Sequence, residues 1–152
     1  MLYTKSSEYV IQAMIYLAEH EGKDLAMVSS VAEACNIPRQ FLAKLVQTLT
    51  RSHLVKSYRG RKGGIELARL AKDITVLNIV HAIEGTPPEH ERCVIGMDIC
   101  SDEATCPLHN EWMHVRNLVR DTLEHQTLAD LAEGMRKKRR ELAQVLREPG
   151  QE

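Results

Sequence analysis

Apolar residues along the first fifty positions recur with the spacing of helices laid against a core. Val10, Ala13, Met14 and Leu17 fall at i, i+3, i+4 and i+7, which predicts a helix over 6–21 that Ser6 or Ser7 can cap and Gly22 ends. A shorter helix fits Ser29 to Cys35. Asn36-Ile37-Pro38 then breaks the chain, and Pro38 suits the first position of a third helix, where its missing N–H costs nothing. That helix runs to about Arg51. Its inward stripe is Phe41, Leu42, Leu45, Val46 and Leu49, and its outward face is Arg39, Gln40, Ala43, Lys44, Gln47 and Thr48. The pattern then changes. Leu54-Val55-Lys56-Ser57-Tyr58 and Ile65-Glu66-Leu67-Ala68 are short β-capable runs around the turn Arg59-Gly60-Arg61-Lys62-Gly63-Gly64, a hairpin signal. A helix from about Val76 to Glu84 stops at Gly85.

Residues 86–106 show neither period, and a loop of that length is expected to be functional or held by something. Beyond it, Pro107 can open a helix reaching about His125, with Leu108, Trp112, Val115, Val119 and Leu123 apolar. Thr127-x-x-Asp130 resembles a capping box and starts a last helix to about Leu146. The fold class is mainly α with a small β-hairpin wing: a winged helix-turn-helix over 1–85, a cysteine-rich loop over 86–106, and a long dimerisation helix with a C-terminal helix over 107–147, in one compact unit. The helix from Pro107 carries more apolar residues than one small core needs, so Trp112, Leu118 and Val119 are expected at or near a subunit contact.

With 43% hydrophobic residues among 152 but one Phe and one Trp, the packing must be aliphatic. No run approaches the ~18 apolar residues of a membrane span. The N-terminus lacks a signal peptide's apolar run, so a cytoplasmic, reducing location is expected, and four Cys there point to metal ligands or core thiols before disulfides. The chain is nearly neutral, at −1, yet Asn36 to Lys72 holds nine basic residues against one acid, Glu66. Charge of that kind is often only a solvated face. Here it coincides with a helix–turn–helix–hairpin order, which points to DNA. Arg39, Gln40, Lys44 and Gln47 would reach base edges in the major groove. Ser57, Arg59, Arg61 and Lys62 on the hairpin would meet the backbone or minor groove. His53 stands where the third helix turns into the hairpin, and tolerates a positive φ better than most residues. Cys35 reads as a buried core thiol.

Cys93, Cys100 and Cys106 are spaced C-x6-C-x5-C, and His109 follows as C-x2-H. Thiolates select zinc or iron–sulfur clusters. The absence of a tight C-x2–4-C knuckle turns the balance toward a cluster, with zinc and free redox thiols as alternatives.

The run Leu54-Val55-x-Ser57-x-Arg59-Gly60-x-x-Gly63-Gly64-x-x-Leu67-Ala68-Arg69, then Ile74-Thr75, Glu84-Gly85 and the three-Cys loop, resembles the bacterial iron–sulfur winged-helix repressors over about residues 1–132. That family includes the cluster assembly regulator, the nitric-oxide-sensing repressor and rhizobial iron-responsive regulators. The resemblance implies a homodimer reading a palindromic double-stranded operator, with Cys93, Cys100 and Cys106 holding a cluster, [2Fe–2S] ahead of [4Fe–4S]. The fourth ligand implied is His109 or, alternatively, the partner subunit's Glu8. Cys106 and His109 would lie one helical turn apart, which favours His109. The sequence departs from the pattern at Ile65, where an aromatic residue is common, at Ser52-His53 in place of Ala-Gly, and in the first Cys gap of six.

The expected function is therefore a repressor whose operator binding responds to iron, redox state or nitric oxide. A zinc-bound or cluster-free regulator is the alternative, and a thiol-redox protein or iron–sulfur carrier a more distant one. No Ser-His-Asp or Cys-His arrangement, phosphate-binding loop or paired-carboxylate site occurs, so no enzyme is expected. Arg136-Lys137-Lys138-Arg139-Arg140 reads as a solvated helix face.

Overall fold

The computed structural model describes residues 3–85, 95 and 103–146. The expected ligands Cys93 and Cys100, and most of the 86–106 loop, lie outside them. Helix α1 spans Lys5–Glu19, α2 Val28–Ala34 and α3 Arg39–Arg51. Strands β1, Val55–Tyr58, and β2, Gly64–Leu67, follow, then α4, Val76–Glu84, α5, His109–His125, and α6, Leu128–Val145.

The core is aliphatic. Val10, Met14, Val31, Leu42, Leu49, Leu54, Ile74 and Ile79 are all but inaccessible to solvent and join α1 to α4 in one cluster. Leu128 of α6 plugs into it, with Ala129 packed against it, and α6 lies along α1. Two members of the first helices differ from their sequence reading. Phe41 is 38% exposed and meets Tyr9 edge-on rather than filling the core, because it sits at the rim of the α3 stripe. Neither Ser6 nor Ser7 caps α1: Thr4 holds the N-cap position without a side-chain cap bond, and Ser7 is buried instead.

The hairpin strands pair antiparallel, Val55 opposite Leu67 and Tyr58 opposite Gly64. Ala26 adds a third rung by exchanging both backbone hydrogen bonds with Ile65, at 3.0 and 2.8 Å. One residue has no periodicity, so the sequence pattern did not reveal this rung. It needs Gly64, since a Cβ there would lie 2.8 Å from the Ala26 carbonyl oxygen. Thr75 and Thr127 cap α4 and α6 with full capping boxes, closed by Asn78 and Asp130.

Helix α5 begins later than the proline suggested. Leu108 is its N-cap and His109 its first residue, with Pro107 in the preceding turn. His109 is its one buried residue among those described, while Val115 and Leu118 are 44% and 61% exposed.

Candidate nucleic-acid interface and cluster region

Helices α2 and α3 meet through a turn at Asn36, whose φ is +52°, and α3 leaves through His53 at +55°. Asn and His are among the side chains that accept this region, so both turns close without glycine. The hydrophobic stripe of α3, Leu42, Leu45, Val46 and Leu49, faces inward. Its register puts Arg39, Gln40, Lys44 and Gln47 on the exposed side together. Hairpin pairing pushes the tip, Arg59 to Lys62, outward, and Gly60 takes φ +100°, which few side chains adopt. Ser57, Arg59, Arg61 and Lys62 are all exposed.

Among the described residues none of these cations has an acidic partner within ion-pair distance. The one acid of the basic segment is engaged elsewhere: the Tyr58 hydroxyl donates to Glu66 Oε1 at 2.8 Å. That bond to a carboxylate, with partial burial and the adjacent charge, holds the Tyr58 hydroxyl above its ordinary pKa. Sequence reasoning missed this pair. Counting the register from the glycine tip would have found it, since Tyr58 opposite Gly64 makes Glu66 its diagonal neighbour. The result is an uncompensated positive face formed by one helix and one hairpin, suited to a phosphate backbone.

At the opposite end, α1 and α4 are tied. Glu84 Oε1 accepts from Thr4 N–H at 2.9 Å, Thr4 Oγ1 at 2.6 Å and Ser7 Oγ at 2.5 Å. In sequence Glu84 and the C-cap Gly85 precede the cysteine loop, and Glu8 follows Ser7. The tie therefore holds the C-terminal turn of α4 against the first turn of α1. Glu8 itself accepts from Lys5 Nζ at 2.6 Å.

Of the proposed thiol ligands the described residues include Cys106, which is half-buried. The His109 N–H donates to the Cys106 carbonyl at 3.0 Å, so the two share one turn at the head of α5, and the His109 side chain is 95% withdrawn from solvent. One turn further, Trp112 Nε1 is buried with no hydrogen-bond acceptor. Among the described residues no group of three His, Cys, Asp or Glu is placed to hold a metal. The soft-plus-imidazole donor pair and the orphaned indole N–H nearby fit an anionic, sulfur-rich group at this helix head. Cys35 departs from its expected burial: it is half-exposed at the C-cap of α2 and lines a cavity.

This arrangement defines a winged helix-turn-helix DNA-binding protein. Residues 3–134 match the Rrf2 family, described as iron-dependent transcriptional regulators. A Mycobacterium tuberculosis protein, Rv1287, named as a candidate HTH-type transcriptional regulator, is 34% identical over 134 residues, 88% of this chain and 83% of its own. Among solved structures, IscR of T. potens superposes with TM-score 0.70 at 29% identity, covering 87% of this chain and 86% of IscR. CymR, titled the global cysteine regulator of B. subtilis, gives TM-score 0.70 at 30% identity, over 86% and 95%. The chain belongs to the Rrf2 family and is a helix-turn-helix transcriptional regulator, not an enzyme. No described helix is long and apolar enough to cross a membrane.

Proposed function

We propose that the chain acts as a homodimeric repressor that reads a palindromic operator and is controlled by an iron–sulfur cluster. The observation that carries the DNA-reading assignment is the unpaired positive face shared by α3 and the wing. In this reading Arg39, Gln40, Lys44 and Gln47 contact bases, and Ser57, Arg59, Arg61 and Lys62 contact the backbone or minor groove. Residues 1–85 read DNA, 86–106 form the cluster loop, and 107–147 dimerise and brace the body.

Cys93, Cys100, Cys106 and His109 would hold the cluster, preferably [2Fe–2S], with the partner subunit's Glu8 as the alternative fourth ligand. The shared turn of Cys106 and His109 and the burial of His109 support the histidine. When bound, the cluster supplies a link whose integrity depends on iron, oxidants and nitric oxide. This chain's own part is to transmit that link. Glu84, at the end of α4, ties α4 to α1, α1 packs on α3, and α3 carries the reading face.

A cluster-free regulator is the second reading. CymR overlays as well as IscR does, so the fold is equally suited to control by another signal. An anaerobic absorption spectrum with iron and sulfide analysis decides between them. The cluster reading expects a brown protein whose colour is lost in Cys93→Ala, Cys100→Ala and Cys106→Ala and whose operator affinity changes when the cluster is removed. A colourless protein, or equal affinity of holo, apo and Cys variants at fixed salt, would overturn it.

A further inference from the structure

Helices α1, α2 and α6 line an open cleft of about 490 Å³ on the body of the molecule, apart from both the positive face and the α5 head. That volume lies within the range of small-molecule sites. Its apolar lining includes Ile15, Ala34 and Met135, and Tyr16 stacks on His20 at its edge, with ring centroids 4.2 Å apart. Two opposite charges stand in the same wall. The Glu19 side chain is nine-tenths buried, and Arg139 from α6 reaches it while remaining more than half exposed.

The pair is incompletely matched. Arg139 Nη1 donates to Glu19 Oε2 at 3.1 Å. Nη2 stands 2.9 Å from Oε1, but off the line of a hydrogen bond, and Oε1 is buried with no aligned donor. A buried carboxylate oxygen in that state is costly unless something donates to it. The guanidinium keeps N–H groups for a further acceptor. Cys35 also lines the cavity, where burial and the Glu19 charge push its thiol up, against the opposing pull of Arg139. It is a neutral, weakly polar wall rather than a nucleophile.

We propose that this cavity binds a zwitterionic small molecule, an α-amino acid with an apolar side chain. Its ammonium group donates to Glu19 Oε1 and its carboxylate accepts from Arg139, extending the ion pair into a closed set of four charges. The apolar side chain rests on Ile15 and Met135. Both charges of the ligand are required, since either alone would leave one member of the protein pair with a surplus. The site is independent of the cysteine loop, so it does not rest on the cluster reading.

The test is titration calorimetry of the full chain with L-leucine, L-methionine and L-phenylalanine. Isoamylamine, which lacks the carboxylate, and 4-methylpentanoate, which lacks the ammonium, are the controls. The expected result is saturable binding of at least one amino acid, one per chain, with Kd below about 1 mM. The amine and the acid should bind at least about tenfold more weakly, a difference of about 1.4 kcal/mol. Glu19→Gln should weaken binding by a similar factor. Gln12→Trp places an indole in the cavity mouth without touching either charge, and should abolish binding while circular dichroism and melting stay unchanged. It decides the matter if Glu19→Gln perturbs the fold. No saturable binding of any of the three amino acids, equal binding of the amine or acid, or binding that survives Gln12→Trp would overturn the proposal and leave Glu19–Arg139 as a tie between helices.

Discussion

The helix-turn-helix body and the α5 helix handle their apolar residues in opposite ways. In the body, the stripes of α1 and α3 close over Val31, Leu54, Ile74 and Ile79, and almost every large aliphatic side chain is covered. In α5 the apolar positions are as regular, yet Val115 and Leu118 face solvent and no aliphatic residue of the helix is fully covered. Regular apolar spacing thus states that a face will be buried, not within which chain. The body satisfies that demand by itself. An α5 stripe left open among the described residues is the face that the homodimer proposed above would cover.

The largest effect expected from this contrast is on stability. Leu42 is fully buried, so Leu42→Ala removes core contacts and leaves a cavity, which costs about 2–5 kcal/mol. Leu118→Ala, measured at concentrations where the chain is monomeric, should shift stability by no more than about 0.5 kcal/mol. Urea unfolding of both variants checks the pair. A large loss in monomeric Leu118→Ala would mean that α5 is covered by its own chain after all.

Leu118→Glu and Val119→Glu sharpen the same comparison from the other side. A charge placed in a dimer contact should weaken association by about 2 kcal/mol or more, roughly thirtyfold in the dimer constant. Sedimentation should then show monomer or aggregate with an intact body by circular dichroism. An unchanged dimer in both variants would place the subunit contact elsewhere.

The two regions also differ in how far the sequence disclosed them. Elements whose signal is local were readable: α4 with its stop at Gly85, the capping box from Thr127 to Asp130, the hairpin, and the positive φ at His53. The exposure of Arg39, Gln40, Lys44 and the wing tip was readable for the same reason, because helical and strand periods alone place them outside. Long-range polar contacts were not. Glu84 meets residues 77 and 80 positions away, and Arg139 meets Glu19 from 120 positions away. Neither leaves a periodic trace, so Ser7 read as a cap and Arg139 as part of a solvated run. Pro107 misled by position, since a proline can also stand in the turn before a helix. The proposed cluster loop rests on cysteine spacing and family resemblance, which carry composition but no geometry.

A smaller effect is expected on the DNA-facing side of the body. Arg59→Ala and Arg61→Ala should each weaken operator binding several-fold and lower the slope of log affinity against log salt by about 1. Melting curves should not move, because both side chains are exposed at the tip and have no described ion-pair partner. Normal binding by both variants, or a clear loss of melting temperature, would remove the wing from the interface. The same salt titration on Leu118→Glu separates weaker dimerisation from weaker DNA contact, since its slope per bound subunit should be unchanged.

The smallest effect concerns Glu84, which ties α4 to α1 within the body. Burial alone would raise this carboxyl's pKa, but hydrogen bonds from Ser7 and from the hydroxyl and N–H of Thr4 outweigh it and hold the group below its ordinary value. A carboxyl depressed in the folded state adds stability above its unfolded pKa and loses it as pH falls through the folded one. Glu84 is largely exposed, so solvent screening keeps the contribution under about 1 kcal/mol. Glu84→Gln keeps the shape but replaces a charged acceptor by a neutral one. Wild type should therefore be the more stable near neutral pH, and the gap should close as pH drops below the ordinary glutamate value of about 4.3. Urea midpoints of the two proteins from pH 7 to pH 3 measure this. A gap that persists undiminished at low pH would mean that the tie acts through packing at Ser7 rather than through the carboxylate charge. In that case α1 and α4 would be joined by a contact indifferent to protonation.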